Sequence, residues 1–163
     1  MVRHTWQNLN GWWDYAILPI AEAVLEEDWQ GKILVPFAVE SALSGVEKPF
    51  LPEEKLWYRR SFEQALAPGQ RLLLHFGAVD FACEVWVNGI AVGDHWGGYL
   101  PFYFDITEAC REGENELLVA VLDPSNDSYN QTGKQSLRPG DIWYSAVSGI
   151  WQTVWLEVVP ETY

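Results

Sequence analysis

The dipeptide Asn88-Gly89 constrains the fold of this chain more than any other feature. It separates two strand-like runs, FACEVWV at 81–87 and IAVGDHW at 90–96. A type I′ turn needs positive φ at both central residues, which Asn tolerates and Gly adopts freely, and its twist matches that of the flanking strands. The sequence therefore predicts a tight β-hairpin whose chain reverses at Asn88.

Alternation of apolar and polar residues with a period of two is typical of the rest of the chain. It is clearest over 150–158, where Val154 and Leu156 share one face and Trp151 and Trp155 share the other. We predict one strand there, with Trp151 and Trp155 either packed under a loop or forming an exposed patch. Further strands are predicted over 11–18, 33–39, 57–63, 71–76, 81–87, 99–104 and 117–122.

Helix signals are few and short. They are confined to 21–28 and to 105–113, which has a capping residue at its start and a glycine at its end. The run LLVAVL at 117–122 is apolar at every position, so we expect it to be covered on both faces, as in the middle of a two-sheet stack. Many strands with almost no helix predict an all-β antiparallel sandwich.

Length and charge limit the functions that this chain can have. Its 163 residues suit one domain with an adequate core. The formal net charge of −13 opposes binding to nucleic acid or to an anionic membrane. The sequence contains no apolar run of membrane-spanning length, and the segment given has no apolar core of a signal peptide, so localisation is left open. Cys83 and Cys110 lack CxxC spacing; we favour buried free thiols, with a disulfide as the alternative.

Several short motifs occur in a characteristic order. They are VESALSGV at 39–46, LWYRRSF at 56–62, VNG at 87–89, GGY at 97–99, FDIT at 104–107 and SGIWQTVWLE at 148–157. Together they resemble the N-terminal sugar-binding domain of family 2 glycoside hydrolases, the β-galactosidase and β-glucuronidase family. The resemblance covers nearly the whole chain and implies the jelly-roll form of the sandwich. It also implies that 1–163 is one domain of a larger multidomain glycosidase.

The resemblance has consequences for catalysis. In the family, two catalytic glutamates lie on a (β/α)8 barrel that follows an immunoglobulin-like domain, and nothing in this chain resembles that barrel. We therefore expect no catalytic residue here and a carbohydrate substrate shared with those domains. The family's N-terminal domain contributes an asparagine and a loop aspartate to the substrate site, which the motifs carry over to Asn88 and Asp141.

Both assignments have alternatives. The turn alone explains an asparagine at Asn88, and the spacing from Asp141 to SGIW is longer than in β-galactosidases. Further substrate-binding candidates are His95, in a glycine-flanked turn, and Trp143, in the polar segment 123–148, whose length is typical of a functional loop. Lys134 and Gln135 are alternatives to Asp141.

The remaining candidates are aromatic and acidic residues. Trp12, Trp13, Trp57 and Trp86 are predicted to fill the core. Glu84, in the middle of a strand, is the acid predicted to be buried, with Arg59 or Arg60 as its partner. No cofactor is expected; a structural Ca²⁺ on Asp123 and Asp127 is an alternative.

Three functions follow from these observations. The chain is a non-catalytic domain at the edge of a glycosidase active site, an autonomous carbohydrate-binding module, or an architectural module. In the last case, the face with Trp151 and Trp155 docks neighbouring domains and allows self-association.

Overall fold

The computed structural model describes residues 5–162. Helix in this range is limited to three single 3₁₀ turns, Glu26–Asp28, Ala42–Ser44 and Thr107–Ala109. The strands are β1 (Trp6–Asn8), β2 (Gly11–Pro19), β3 (Gly31–Val35), β4 (Glu54–Gln64), β5 (Gln70–Phe76), β6 (Val79–Asp80), β7 (Ala82–Val87), β8 (Ile90–Trp96), β9 (Phe102–Asp105), β10 (Gly113–Leu122), β11 (Gln135–Ser136), β12 (Tyr144–Ser145), β13 (Gly149–Ile150) and β14 (Val154–Pro160).

Two antiparallel sheets form the body of the molecule. One has the strand order β1-β14-β5-β9 and the other the order β3-β2-β4-β10-β7-β8. Two short pairs, β11 with β12 and β13 with β6, lie outside them. The predicted hairpin is β7–β8, in which Asn88 has φ 51° and Gly89 has φ 78°. The prediction of an all-β antiparallel sandwich is confirmed.

The main core lies between the two sheets. Leu72, Leu74 and Phe76 of β5 face it from the four-stranded sheet, and Val119 and Val121 of β10 face it from the six-stranded sheet. All five are fully buried. Because these residues alternate with outward ones along each strand, the period-two pattern of the sequence is the pattern of the core.

A second apolar cluster lies on the outer face of the six-stranded sheet. Ala120 of β10 is buried there beside Trp57, which stacks on Trp86 at a centroid distance of 5.7 Å. Val24 and Trp29, from the segment between β2 and β3, pack against this cluster. The segment LLVAVL is therefore covered on both faces, as the sequence predicts.

Three predicted strands are shorter in the structure, two of them because of a neighbouring proline and one because of strand pairing. β3 ends at Val35 and β9 begins at Phe102, next to Pro36 and Pro101, which have no N–H to donate to a ladder. The segment 150–158 is interrupted, because β13 pairs with β6 whereas β14 pairs with β5. The predicted helix at 21–28 is only the turn Glu26–Asp28, and that at 105–113 is only Thr107–Ala109.

The predictions of burial have mixed outcomes: Trp13, Trp57 and Cys83 are buried as predicted, Cys110 is only half-buried, and those for Trp12 and Glu84 are wrong. Trp12 is 53% exposed although a core position was expected, whereas Trp13 is fully buried. Glu84 is exposed, because it alternates along β7 with the buried residues Cys83 and Val85. It therefore lies on the outer face of the sheet, opposite Asp94 of β8. Cys83 and Cys110 are both free thiols, and Cys83 is buried.

The backbone at Gly98 is pressed against the carboxylate of Asp80. A Cβ atom added to Gly98 would lie 2.3 Å from Asp80 Oδ1, although the φ of Gly98 is one that other residues adopt. Gly98 is therefore required for its lack of a side chain and not for its backbone conformation. Asp80 is itself 4% exposed, so it has little room to move.

We expect Gly98→Ala to lower the free energy of unfolding by about 1–3 kcal/mol, the usual cost of overpacking a well-packed interior. Gly140→Ala is the matched control, because a Cβ at Gly140 meets nothing within 4 Å. Chemical denaturation of both variants measures the difference. Equal stabilities would show that the contact between Gly98 and Asp80 is not tight.

Candidate functional site

The segment 123–148, which we call the long loop, is closed at its base by one carboxylate. Asp123 follows β10 directly, and its Oδ1 accepts a hydrogen bond from Ser125 N (2.7 Å). Its Oδ2 accepts one from Ser148 Oγ (2.7 Å). Asp123, Ser125 and Ser148 are each at most 3% exposed. A single buried side chain therefore joins the two ends of the loop.

Gln135 orders the middle of the loop. Its Oε1 accepts a hydrogen bond from Val147 N (2.7 Å), and its Nε2 lies 3.4 Å from Asp80 Oδ2. β11, which begins at Gln135, pairs in parallel with β12. Gln135, an alternative substrate ligand in the sequence, thus holds the loop against the sandwich. Lys134 contributes its carbonyl, which accepts a hydrogen bond from Tyr144 N (2.9 Å).

Three acids without basic partners lie beneath the loop, and we call Glu40, Asp80 and Asp123 the carboxylate cluster. Within residues 5–162, none of them forms an ion pair with Lys or Arg. Burial, with a smaller contribution from the charge of Asp123, raises the pKa of Glu40 to about 7 and that of Asp80 to about 6. Burial also raises the pKa of Asp123.

The two carboxyl oxygens of Glu40 have unequal surroundings. Its Oε2 accepts a hydrogen bond from Ser148 N (2.9 Å). Its Oε1 is buried and has no hydrogen-bond partner among the residues described. Glu40 also lines a cleft of about 310 Å³ between the segment 47–51 and the long loop. Sequence reasoning missed Glu40 and Asp80, although Asp80 stands between apolar residues in GAVDF, a pattern typical of a buried acid.

The tip of the long loop carries two of the predicted site residues. Asp141 has φ 52° and is exposed, in a turn where Trp143 N donates to Gly140 O (2.9 Å). Trp143 is 50% exposed and is flanked by exposed Ile142 and Tyr144. The structure therefore brings Asp141 and Trp143 together on one protruding, mainly apolar surface.

Asn88 lies in the turn of the β7–β8 hairpin. Ala82 pairs with Trp96 at the loop end of the β7–β8 hairpin, and Val87 pairs with Ile90 at the other end. Six residues of strand separate the two ends, which is about 20 Å at 3.3 Å per residue. Asn88 thus lies at the end of the hairpin away from Tyr129, Asn130 and Gln131 of the long loop, which line a cleft with Trp96.

The side chain of Asn88 is occupied by the fold. Its Nδ2 donates to Ala109 O and to Asn115 Oδ1, both at 2.8 Å, and its Oδ1 accepts from Glu116 N (3.1 Å). These bonds tie the turn to the 3₁₀ turn Thr107–Ala109 and to the start of β10. The arrangement favours the turn explanation of Asn88 over a substrate role.

His95 points into the sandwich and not toward a cleft. Its ring stacks on Phe102 at a centroid distance of 3.9 Å, and its Nε2 is 3.2 Å from Gly97 O. Because His95 pairs with Cys83, it shares the inner face of the sheet. The structure does not bring it to the tip of the long loop.

Trp151 and Trp155 do not form one surface. The Nε1 of Trp151 donates to Gly98 O (2.8 Å), and its ring meets Tyr99 edge to face. Trp155 stacks on His75 with nearly parallel rings 4.8 Å apart. Both are half-buried. Trp151 therefore packs under the segment that follows β8, whereas Trp155 belongs to the outer face of the four-stranded sheet.

A metal-binding cluster is absent from the described part of the chain, where no three His, Cys, Asp or Glu side chains are arranged to hold an ion. Asp123 uses both carboxylate oxygens within the loop base, and Asp127 is exposed. Calcium at these two residues stays a prediction. Over the same residues, no helix is long and apolar enough to cross a membrane.

The sandwich and its ordered loop define a class of protein: an all-β domain whose loops present aromatic and acidic side chains at one end. Residues 39–160 match the family model described as the sugar binding domain of glycosyl hydrolases family 2. This match covers most of the chain. The chain therefore belongs to the sugar-binding domain of glycosyl hydrolase family 2.

Individual relatives agree with this family. A beta-galactosidase of Vibrio cholerae is 31% identical over 180 residues, which cover 92% of this chain and 16% of the relative. A putative beta-glucuronidase of Formosa agariphila is 28% identical, with 98% of this chain and 19% of the relative covered. The chain thus spans less than a fifth of either relative.

Solved structures share the fold. A beta-glucuronidase of Bifidobacterium dentium, solved with coumarin-3-O-glucuronide, superposes with a TM-score of 0.68 at 25% identity and covers 98% of this chain and 31% of its own. A beta-glucuronidase of Faecalibacterium prausnitzii gives a TM-score of 0.71 at 24% identity and covers 99% of this chain and 33% of its own.

We expect Asn88→Gly to lower the free energy of unfolding by about 1–3 kcal/mol, because three side-chain hydrogen bonds are lost while glycine still adopts the positive φ. Asn88→Ala should be less stable still, since alanine adds backbone strain. Urea denaturation of both variants measures this. If the side chain of Asn88 bound only substrate and did not stabilise the turn, Asn88→Gly would be as stable as the unsubstituted chain.

The carboxylate cluster predicts an unusual pH dependence of stability. The pKa of Glu40 is about 7 in the folded protein against an ordinary value of 4.5, so the folded state binds more protons between these pH values. The free energy of unfolding should therefore fall as pH rises from about 4.5 to 7. Asp80 adds to this fall between 3.8 and about 6.

Glu40→Gln should flatten this fall between pH 4.5 and 7, because it removes the titration of Glu40 from the cluster. Glu53→Gln is the control, because Glu53 is exposed. Denaturation at pH 5, 6 and 7 tests the difference. A slope in Glu40→Gln as steep as in the unsubstituted chain would contradict it.

Proposed function

We propose that this chain is the non-catalytic, substrate-facing domain of a family 2 glycoside hydrolase, and that its long loop lines the edge of an active site built by other domains of the same protein. The observation that carries this proposal is the turn 140–143 of the long loop, which exposes Asp141 and Trp143 while Asp123 closes the base of the loop. The family match supplies the reaction class, hydrolysis of O-glycosidic bonds.

The use of the acidic residues supports a non-catalytic role. Glycoside hydrolysis needs two carboxyl groups on either side of the scissile bond, about 5–5.5 Å or 6.5–9.5 Å apart. The oxygens of Asp123 hold backbone and side-chain groups of the loop, and Asp80 is packed against Gly98. Glu84 and Asp94 stand side by side on one open sheet surface, where neither faces the other across a substrate.

The role proposed for the tip is positioning. Asp141 supplies an acceptor for sugar hydroxyl groups, and Trp143 supplies an apolar face beside it. Because turn residues 140–143 hydrogen-bond to each other, the two side chains are preorganised before substrate arrives. A domain that only orients substrate changes affinity and specificity while leaving the bond-breaking groups to its neighbours.

A second role for the same tip is architectural. Ile142, Trp143, Tyr144 and Val147 are each at least 42% exposed and lie close together in the chain. An apolar patch of this kind is typical of a surface that contacts another protein surface. The immunoglobulin-like and barrel domains implied by the family are its expected partners.

The test is kinetic and uses the multidomain protein that carries this chain. We expect Asp141→Ala to lower kcat/KM for an aryl β-galactoside or β-glucuronide at least about tenfold, the effect of losing one hydrogen bond to a charged group. Asp127→Ala is the matched control, an exposed aspartate of the same loop. The 163-residue chain by itself should release no aryl alcohol.

Two outcomes would overturn the proposal. Turnover by the 163-residue chain would show that it is catalytic, and Glu84→Gln and Asp94→Asn would then identify the acids. Equal kcat/KM for Asp141→Ala and Asp127→Ala would remove the substrate-facing role of the tip. In that case, a loss of stability of the multidomain protein on Trp143→Ala would indicate the architectural role.

A further inference from the structure

Trp96, at the end of β8, is an exposed tryptophan whose position the core does not explain. Its side chain is 69% exposed. It stands on the outer face of the six-stranded sheet, paired with Ala82 of β7, and the ring of Phe81 meets it edge to face at a centroid distance of 6.2 Å. Tryptophan is among the more buried residue types, so an indole held out in this way is unusual.

A cleft lies on one side of the indole. It has a volume of about 250 Å³, and Ala120 and Leu122 of β10 form part of its apolar lining. Lys55 of β4, Glu84 of β7 and Asp94 of β8 supply its charged groups. Apolar surface with a few convergent polar groups is the usual composition of a small-molecule site.

A second, more open cleft lies on the other side of Trp96. It has a volume of about 540 Å³ and is lined by Phe81, Gly97 and the loop residues Tyr129, Asn130 and Gln131. Asn130 Oδ1 is buried and has no hydrogen-bond partner among the described residues. Trp96 is therefore a wall shared by two adjoining clefts, each of which offers both an aromatic surface and hydrogen-bonding groups.

The positions of Glu84 and Asp94 are unfavourable for the stability of the sheet. They are directly opposite each other on neighbouring strands, an arrangement in which like charges repel. Within residues 5–162, neither forms an ion pair with Lys or Arg. Their carboxylates, which face the cleft beside Lys55, do not serve the stability of the sheet, and this favours a role in binding.

We propose that the two clefts on either side of Trp96 form a binding site for a neutral oligosaccharide. The C–H-rich face of a pyranose ring packs on the exposed indole, which loses little entropy because it is already held in place. Glu84 and Asp94 accept hydrogen bonds from hydroxyl groups, while Lys55 donates to them. A chain of two or more sugar units extends past Trp96 to Asn130 and Gln131.

The charge of the site selects among sugars. Two carboxylates against one ammonium group, on a chain with a net charge of −13, repel a uronic acid. The site should therefore take neutral glycans, even where the neighbouring active site takes an anionic one. Neither cleft is lined by Asp141 or Trp143, so either proposal can fail while the other holds.

The test is titration of the 163-residue chain with four neutral tetrasaccharides (cello-, galacto-, manno- and xylotetraose) and with tetragalacturonate, followed by calorimetry and by tryptophan fluorescence. At least one neutral tetrasaccharide should bind, and Trp96→Ala should weaken its binding at least about tenfold. Trp96→Phe should bind with intermediate affinity, because an aromatic face remains. Trp12→Ala is the matched control, since Trp12 is 53% exposed and lines neither cleft.

A charge variant tests the predicted selectivity. Glu84→Gln with Asp94→Asn should keep neutral binding within about threefold and gain measurable binding of tetragalacturonate, because the amides still hydrogen-bond and no longer repel it. Asp127→Ala, at an exposed loop aspartate that lines neither cleft, should leave all of these affinities unchanged. No binding of any neutral tetrasaccharide, equal loss in Trp12→Ala, or tetragalacturonate binding by the unsubstituted chain would each overturn the proposal.

Discussion

The closed base of the long loop is the constraint on which the rest of this end of the molecule depends. Bringing together the ends of a flexible loop of this length costs roughly 3 kcal/mol in entropy, and fixing each residue of the loop costs more. The two hydrogen bonds of Asp123 contribute about 1.5–3 kcal/mol each if the carboxylate is charged, and less if it is neutral. Asp123 alone is therefore insufficient.

The additional bonds explain why three acids are buried together. Glu40 accepts from Ser148 N, and Asp80 lies beside Gln135, which in turn accepts from Val147 N. Glu40 and Asp123 both hold the loop at Ser148, and Asp80 lies at its middle beside Gln135, but each acid also loses hydration, which raises its pKa. The folded state therefore binds more protons than the unfolded state at this cluster, so stability is coupled to pH.

The fold was largely predictable from the sequence, because strand faces repeat with a period of two. The hairpin at Asn88, the doubly covered run at 117–122 and the absence of long helices all follow from local pattern. The end of β3 and the start of β9 depend on Pro36 and Pro101, and both prolines are visible in the sequence. The break before Val154 depends on which strand pairs with which, and no local pattern contains that information.

The candidate site was less predictable, because a motif identifies residue types and not what their side chains contact. Asn88 matches the family motif, yet its three hydrogen bonds lie within the fold. Glu84 was expected to be buried and Asp80 was overlooked, although both stand among apolar residues. Their neighbours in sequence are similar, but their neighbours in the fold differ. Glu84 faces outward opposite Asp94, whereas Asp80 is enclosed by Gly98 and the long loop.

The two ends of the β7–β8 hairpin differ in where their side chains are directed. At the Asn88 end, every side-chain hydrogen bond is directed inward, which fixes the turn against β10. At the Trp96 end, the indole, Glu84 and Asp94 are directed outward, where they add nothing to packing. A rigid hairpin pinned at one end can hold unfavourable groups in place at the other. The hydrogen bonds of Asn88 therefore offset part of the cost of exposing Trp96 and the two carboxylates at the site proposed for an oligosaccharide.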